Sequence, residues 1–178
     1  MIKLITGVPG TGKTKMLIGM VNEAVQSSKG NIVCIEKGIK LRFDINYNAR
    51  LINTDEYLID DAQSLFGFLA GIIASNHDVT EIFIDSALKI CQNDMAAFEM
   101  AVREMELLSS KTGVDIILTS SIPKGKESEA LKKFICRALS GGVTRPRHFA
   151  FRTTEERGAF LELAQAFREN FVIIDGCY

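Results

Sequence analysis

The stretch GVPGTGKT occupies residues 7–14 and decides how the rest of this chain is interpreted. It follows the apolar run MIKLI (1–5), which has the length of a buried strand. The residues after it, TKMLIGMVNEAVQSS (14–28), repeat their apolar positions at helical spacing. Four residues match every fixed position of the pattern G-x-x-x-x-G-K-[ST], namely Gly7, Gly12, Lys13 and Thr14. In the order strand, turn and helix, this pattern predicts a phosphate-binding loop.

The residue types of the loop suit that chemistry. Glycines let the backbone turn sharply and bring its N–H groups close to phosphate oxygens, and the following helix directs its positive dipole end at the same anion. We expect Lys13 to lie at the loop surface and to reach the β- and γ-phosphates, and the Thr14 hydroxyl to bind Mg²⁺. The predicted nucleotide-binding residues of the loop are Gly7, Val8, Pro9, Gly10, Thr11, Gly12, Lys13 and Thr14.

Two apolar runs end in an acid that could face this loop. Asp85 closes EIFID (81–85), where a carboxylate would hold Mg²⁺ directly or through water, although an aspartate after a strand is also a common cap or turn residue. Glu36 closes NIVCIE (31–36). Its carboxylate could polarise an attacking water or accept a proton from a substrate hydroxyl, and the alternative is a surface glutamate in a loop.

Composition sets broad limits on the protein. The 178 residues suffice for one domain, and 21 basic against 22 acidic residues give no support for a nucleic-acid partner. The sequence has no apolar run of membrane-spanning length and starts directly with a strand pattern, which leaves no room for a signal peptide. Its four cysteines show no C-x-x-C spacing and are typical of reduced thiols. We therefore expect a cytoplasmic protein that does not enter a membrane.

Strand and helix patterns alternate along the chain. After the first helix come the strand 31–36, a hairpin within 37–55, a helix over 60–76, the strand 81–85, a helix over 93–113 that begins at Asn93 and stops at Gly113, the strand 114–121 and a helix over 127–139. Apolar strands that alternate with helices predict an α/β fold, a three-layer α/β/α sandwich with a mostly parallel central sheet. Ligands of such sheets bind beyond the carboxyl ends of the strands.

These motifs resemble the RecA-like branch of the P-loop NTPases over about residues 1–122. In that branch the catalytic glutamate ends the strand after the loop helix, as Glu36 does in CIEKG, and serine often follows the magnesium aspartate, as in FIDS (83–86). The strand IILTSS (116–121) would supply Thr119 and Ser120 as sensors of the γ-phosphate, or these are ordinary strand-end hydroxyls. The chain is also similar to small uncharacterised ATP-binding proteins of Gram-positive bacteria. The resemblance implies ATP and Mg²⁺ as ligands.

Two departures from the resemblance restrict the function. Many P-loop ATPases place a catalytic glutamate directly after the magnesium aspartate, but this chain has Ser86 there, so hydrolysis would depend on Glu36. The connections after 85 and after 121 are short, which argues against the DNA strand exchange of recombinases.

The residues after the core leave three functions open. We expect one domain over 1–178, with an α/β extension at 123–178 that contains a helix over about 154–168, a final strand FVIID (171–175) and a basic loop over 141–157. An arginine-bearing lid at that loop would suit a small-molecule or nucleoside-type kinase, although a solvated surface loop is the simpler interpretation. The first prediction is an ATPase with a catalytic Lys13 and Glu36 that couples Mg²⁺-dependent hydrolysis to a conformational change. The kinase is the second prediction, and the third is a nucleotide-sensing module with little turnover. A protein partner or homo-oligomer is compatible with each of the three.

Overall fold

The computed structural model describes residues 1–123 and 125–135. The helix predicted at 154–168, the strand FVIID and the basic loop at 141–157 lie outside these residues. The described elements are β1 (Ile2–Thr6), α1 (Lys13–Ser27), β2 (Asn31–Glu36), β3 (Arg50–Asn53), a 3₁₀ helix (Thr54–Tyr57), α2 (Ala62–Ser75), β4 (Val79–Ile84), α3 (Ala87–Ile90), α4 (Met95–Thr112), β5 (Asp115–Ser120) and α5 (Glu129–Lys132).

The strands form one parallel sheet. Its five described strands follow the order β1-β5-β4-β2-β3, and each neighbouring pair is parallel. Because all of them point the same way, their carboxyl ends share one edge of the sheet. The register places Thr6 beside Ser120 and Ile35 beside Ile84 at that edge. The prediction of a mostly parallel sheet is confirmed.

Apolar side chains cover both faces of the sheet, as the unbroken apolar strands predict. One core joins the sheet to α2, α3 and α4 through fully buried residues such as Leu65, Leu69 and Phe98. The other joins it to α1 through Leu17 and Val21. Successive strand residues alternate between these two cores, which gives the three-layer α/β/α sandwich.

The hairpin predicted within 37–55 is wrong. Residues 50–53 do form a strand, but β3 pairs with β2 in parallel. Parallel neighbours cannot be joined by a tight hairpin and need a long crossover connection. Residues 37–49 supply it as a series of turns, here called the β2–β3 crossover, with Leu41 and Ala49 buried in the core that contains α1.

The predicted helix ends are mostly correct. Helix α4 stops at Gly113, which takes a left-handed conformation (φ 76°) that favours glycine. Its start is one residue later than predicted, because Asp94 and not Asn93 accepts the cap hydrogen bond, from Ala97 N–H. The helix predicted over 127–139 is shorter within the described residues, where α5 spans Glu129–Lys132 and the chain continues beyond 135 outside them.

Candidate functional site

The glycine-rich loop joins β1 to α1 at the carboxyl edge of the sheet. Gly10 (φ 85°) and Gly12 (φ 84°) both have left-handed backbone conformations that favour glycine. Gly12 is the residue at the start of α1, and no side chain caps that helix end. The first N–H groups of α1 are therefore not bonded to a capping side chain, and they lie where the helix dipole favours an anion.

Lys13 is buried, so the expectation of a surface position for this side chain is wrong. Only 7% of the residue is exposed, and its Nζ donates hydrogen bonds to the carbonyl oxygens of Gly7 (2.9 Å) and Val8 (2.8 Å). The loop is therefore wrapped around the Lys13 ammonium group, which binds two of its carbonyl oxygens. Burial lowers the pKa of Lys13, and the negative charge of Asp85 opposes that shift.

The Asp85 carboxylate accepts hydrogen bonds from hydroxyl groups in three parts of the chain. Thr14 Oγ1, from the first turn of α1, lies 3.0 and 3.2 Å from the two carboxylate oxygens. Thr119 Oγ1 donates to Asp85 Oδ1 at 2.7 Å, and Ser86 Oγ donates to Oδ2 at 3.2 Å. Thr14 and Asp85, which the sequence predicts as magnesium ligands, therefore contact each other directly.

Ser86 has a structural role that the sequence reading missed. It takes a left-handed conformation (φ 57°), begins α3 and donates its backbone N–H to Thr119 Oγ1 at 2.8 Å. A non-glycine residue in this conformation is uncommon and indicates that the surrounding contacts hold it there. The sequence signal was the serine itself, which was interpreted as a family match after Asp85 and as the absence of a glutamate, and not as a backbone contact.

The two hydroxyls at the end of β5 have different environments. Thr119 is bonded to both Asp85 and Ser86, as described above. Ser120 is fully buried, and its Oγ has no hydrogen-bond partner among residues 1–123 and 125–135. Adjacent strand residues face opposite sides of a sheet, so the two hydroxyls do not share one environment. Their roles as γ-phosphate sensors stay predictions.

Glu36 is not the surface glutamate of the alternative interpretation, since only 2% of it is exposed. Its carboxylate accepts hydrogen bonds from the backbone N–H groups of Lys40 (3.0 Å) and Leu41 (3.1 Å). The neighbouring strand end is close, because Asp85 N–H donates to Ile35 O at 2.8 Å. Glu36 and Asp85 therefore end adjacent strands at the same edge of the sheet.

Burial raises the pKa of Glu36, and the charge of Asp85 raises it further. The hydrogen bonds from Leu41 and Lys40 and the charge of Lys40 act in the opposite direction on this pKa. The same two carboxylates add to the effect of burial on the Cys34 thiol, whose pKa is also raised. Glu36 and Asp85 thus lie close enough at this edge for both to affect the same thiol.

The described residues 1–123 and 125–135 contain no group of three or more His, Cys, Asp and Glu side chains that could hold a metal ion. A cation at this edge would be bound by hydroxyl and carboxylate oxygens together with water, which suits Mg²⁺. Within the same residues, no helix combines the length and apolar character needed to cross a membrane.

Comparison with known proteins identifies the fold. No family model and no curated protein sequence matches this chain. A KaiC-like protein from the hyperthermophilic archaea Pyrococcus horikoshii OT3 superposes with a TM-score of 0.55 and 16% identity, over 74% of this chain and 65% of that one. The pCW3 conjugation coupling protein TcpA, in its monomer form with ATPγS, gives a TM-score of 0.45 and 15% identity, over 74% of this chain and 46% of that one.

The first of these likenesses shows that the chain has the RecA-like P-loop fold, in agreement with the sequence resemblance. The match spans 65% of the KaiC-like protein's length and 46% of TcpA. The likeness to the KaiC-like protein concerns the architecture that surrounds the site and not the chemistry of its residues.

Proposed function

We propose that the protein binds ATP with Mg²⁺ and hydrolyses it, and that hydrolysis drives a conformational change. The observation that carries this proposal is the direct contact between Thr14 and Asp85, at 3.0 Å, beside a loop that is folded around Lys13. A phosphate-binding loop alone supports anion binding. The additional hydroxyl–carboxylate pair supplies the oxygen atoms that a nucleotide-bound metal ion requires.

The loop would hold the phosphates through its backbone and through Lys13. The N–H groups at the start of α1 would bind phosphate oxygens without a competing side-chain cap. Lys13 Nζ would exchange the carbonyl oxygens of Gly7 and Val8 for the β- and γ-phosphates. This exchange replaces neutral acceptors with charged ones, and hydrogen bonds between charged groups are the stronger.

The residues around Asp85 fit a magnesium ion. The Thr14 hydroxyl would be a direct ligand, and Asp85 would bind the ion directly or through a water molecule. Thr119 and Ser86 would keep the carboxylate oriented, since both already donate hydrogen bonds to it. When bound, the ion would neutralise charge on the phosphates during transfer.

Glu36 would position and deprotonate the attacking water. Its raised pKa brings this carboxylate closer to neutral pH than an ordinary glutamate, which suits a general base. Its place at the end of β2, beside the strand that carries Asp85, puts it at the edge where the phosphates would bind.

The test is phosphate release in a single turnover, with the protein in excess over ATP and with Mg²⁺ present. Glu36→Gln keeps the shape of the side chain but cannot accept a proton. Turnover should therefore fall by about 10²-fold or more, while ATP affinity stays near the parental value. Glu104→Gln, on the exposed side of α4, is the matched control and should hydrolyse ATP like the parent. A Glu36→Gln variant with the parental rate would remove Glu36 from the mechanism.

A nucleotide-sensing module is the second candidate, and one observation favours it. Both carboxylate oxygens of Glu36 already accept backbone hydrogen bonds, so the side chain is held by the β2–β3 crossover. A parent protein with a tight ATP complex and no measurable phosphate release would support sensing over hydrolysis. Transfer of phosphate to an added nucleoside or sugar would instead support the kinase prediction.

A further inference from the structure

The β2–β3 crossover is firmly attached to the rest of the molecule. Leu41 is buried in the core, and the N–H groups of Lys40 and Leu41 bond to Glu36. Further along, Asn22 of α1 donates its amide to Asp44 O (2.9 Å) and accepts from Asn46 N–H (2.8 Å). These contacts fix the backbone at residues 40, 41, 44 and 46.

Large apolar side chains project from this fixed backbone into solvent. Phe43 and Tyr47 are each 92% exposed, and Ile39 is 68% exposed. Aromatic side chains of this size gain much from burial, so leaving two rings in water on an anchored segment calls for an explanation. Exposed aromatic residues on a pre-organised backbone are typical of a binding surface.

The same segment is basic, although the whole chain has a formal charge of −1. Residues 37–49 contain three basic side chains and one acidic side chain, Asp44, which gives a local charge of +2. The basic residues are Lys37, Lys40 and Arg42. The guanidinium group of Arg42 lies 6.0 Å from the centre of the Phe43 ring. One cation therefore lies beside an exposed ring, and two more precede it within six residues of the chain.

We propose that the β2–β3 crossover binds a single-stranded nucleic acid, with bases stacked on Phe43 and Tyr47 and phosphates held by Lys37, Lys40 and Arg42. Exposed aromatic rings beside cations are the combination by which proteins hold unpaired strands without reading their sequence. An anionic membrane surface fits less well. Asp44 and Asn46 lie between the two rings in sequence, and their polar groups would lose water in a bilayer.

The bound strand would also act on nucleotide turnover, and this part rests on the proposed function. The N–H groups of Lys40 and Leu41 hold the Glu36 carboxylate at 3.0 and 3.1 Å. A phosphate held by the Lys40 side chain would draw the Lys40 N–H away from Glu36 Oε2, while the buried Leu41 stays in place. The carboxylate would lose one of the hydrogen bonds that hold it and could bind water. Strand binding would thus accelerate hydrolysis.

Binding is tested with the full chain and fluorescently labelled oligo-dT and oligo-U of about 20 nucleotides, which exceeds the usual site size. Fluorescence anisotropy should show saturable binding without ATP. The double variant Phe43→Ala/Tyr47→Ala should bind at least about tenfold more weakly, since each stacked ring accounts for roughly a fivefold or larger factor. Arg42→Ala should lower the salt dependence, with log Kd against log salt losing about 0.7 in slope.

Matched controls are available on α4. Met100 and Leu107 are 65% and 60% exposed, so Met100→Ala/Leu107→Ala also removes two exposed apolar side chains and should bind like the parent. Arg103→Ala is the control for Arg42→Ala. No binding by the parent, equal binding by the aromatic variant, or binding only to vesicles of phosphatidylserine would each overturn the proposed site.

The effect on turnover is measured separately, as phosphate release with and without oligo-dT. The oligonucleotide should raise the parental rate by about fivefold or more, a usual size for coupling between two sites. The aromatic variant should keep the parental rate without oligonucleotide and lose the increase. Binding without acceleration would overturn the coupling to Glu36, while absent turnover in every sample would contradict the proposed hydrolysis and leave the binding result standing.

Discussion

Two regions at the same edge of the sheet hold their acids in different ways. Asp85 is bonded to hydroxyl groups from distant parts of the chain, Thr14 and Thr119. Glu36 is bonded to backbone N–H groups four and five residues further along. A hydroxyl group can rotate to bind a cation, which leaves the Asp85 carboxylate free to bind the cation as well. A backbone N–H group can move only if the whole turn of the chain moves with it. The difference supports the proposed magnesium site around Asp85 and the proposed control of the Glu36 carboxylate by the crossover.

The largest expected effect concerns the loop beside Asp85. Lys13→Ala removes the cation that would contact two phosphates, and the ATP affinity should fall at least about 100-fold, because hydrogen bonds between charged groups are worth roughly 1.5–3 kcal/mol each. Lys15→Ala, an exposed lysine on α1, is the control and should bind ATP like the parent. Calorimetry measures both affinities, and circular dichroism checks the fold. Unchanged affinity in Lys13→Ala would break the assignment of the phosphate site.

A smaller effect is expected at Asp85 itself. Asp85→Asn keeps the shape of the side chain but removes the charge that would face Mg²⁺. ATP affinity should weaken by about tenfold in the presence of Mg²⁺, which corresponds to about 1.4 kcal/mol, and change less in its absence. Asp60→Asn, an exposed residue before α2, is the control. If Asp85→Asn loses the same affinity with and without Mg²⁺, Asp85 is only a turn residue.

The smallest expected effect is a change in stability with pH that comes from Glu36. The pKa of Glu36 is raised above its ordinary value of 4.5, mainly by burial, so the proton binds more tightly in the folded state. The resulting stabilisation is complete below the ordinary pKa and is lost as pH rises through the raised one. The free energy of unfolding of the parent, relative to Glu36→Gln, should therefore decrease from about pH 4 toward neutral pH. Urea unfolding at several pH values gives both curves, and a constant difference between them would contradict the burial of this carboxylate.

Much of the fold followed from local signals in the sequence. The loop pattern, the apolar strands and their closing acids predicted β1, α1, β2, β4 and β5, because each depends on residues that are close in sequence. The crossover was misread because Leu41 to Ile45 and Arg50 to Ile52 look like two strands joined by a turn. The direction of β3 depends on its pairing with β2, and the local pattern of residues carries no information about that pairing.

Prediction of the candidate site was limited in the same way, because some of its contacts do not follow from the local sequence pattern. Residue types predicted Thr14 and Asp85 as magnesium ligands, and the structure brings the two side chains into contact. The burial of Lys13 and the backbone contacts of Glu36 could not be read from the sequence, because both depend on how the chain folds back after the motif. The role of Ser86 depends on a left-handed conformation that its residue type does not favour.

The proposed ATP and Mg²⁺ site is tested most directly by a crystal structure of the protein with a non-hydrolysable ATP analogue and Mn²⁺ in place of Mg²⁺. The metal is located by its anomalous scattering. We expect a metal peak within about 2.2 Å of Thr14 Oγ1 and close to Asp85, at a distance that allows a direct bond or one bridging water, with the β- and γ-phosphates at Lys13 Nζ. A nucleotide bound elsewhere, or a metal that contacts neither Thr14 nor Asp85, would contradict the proposed site.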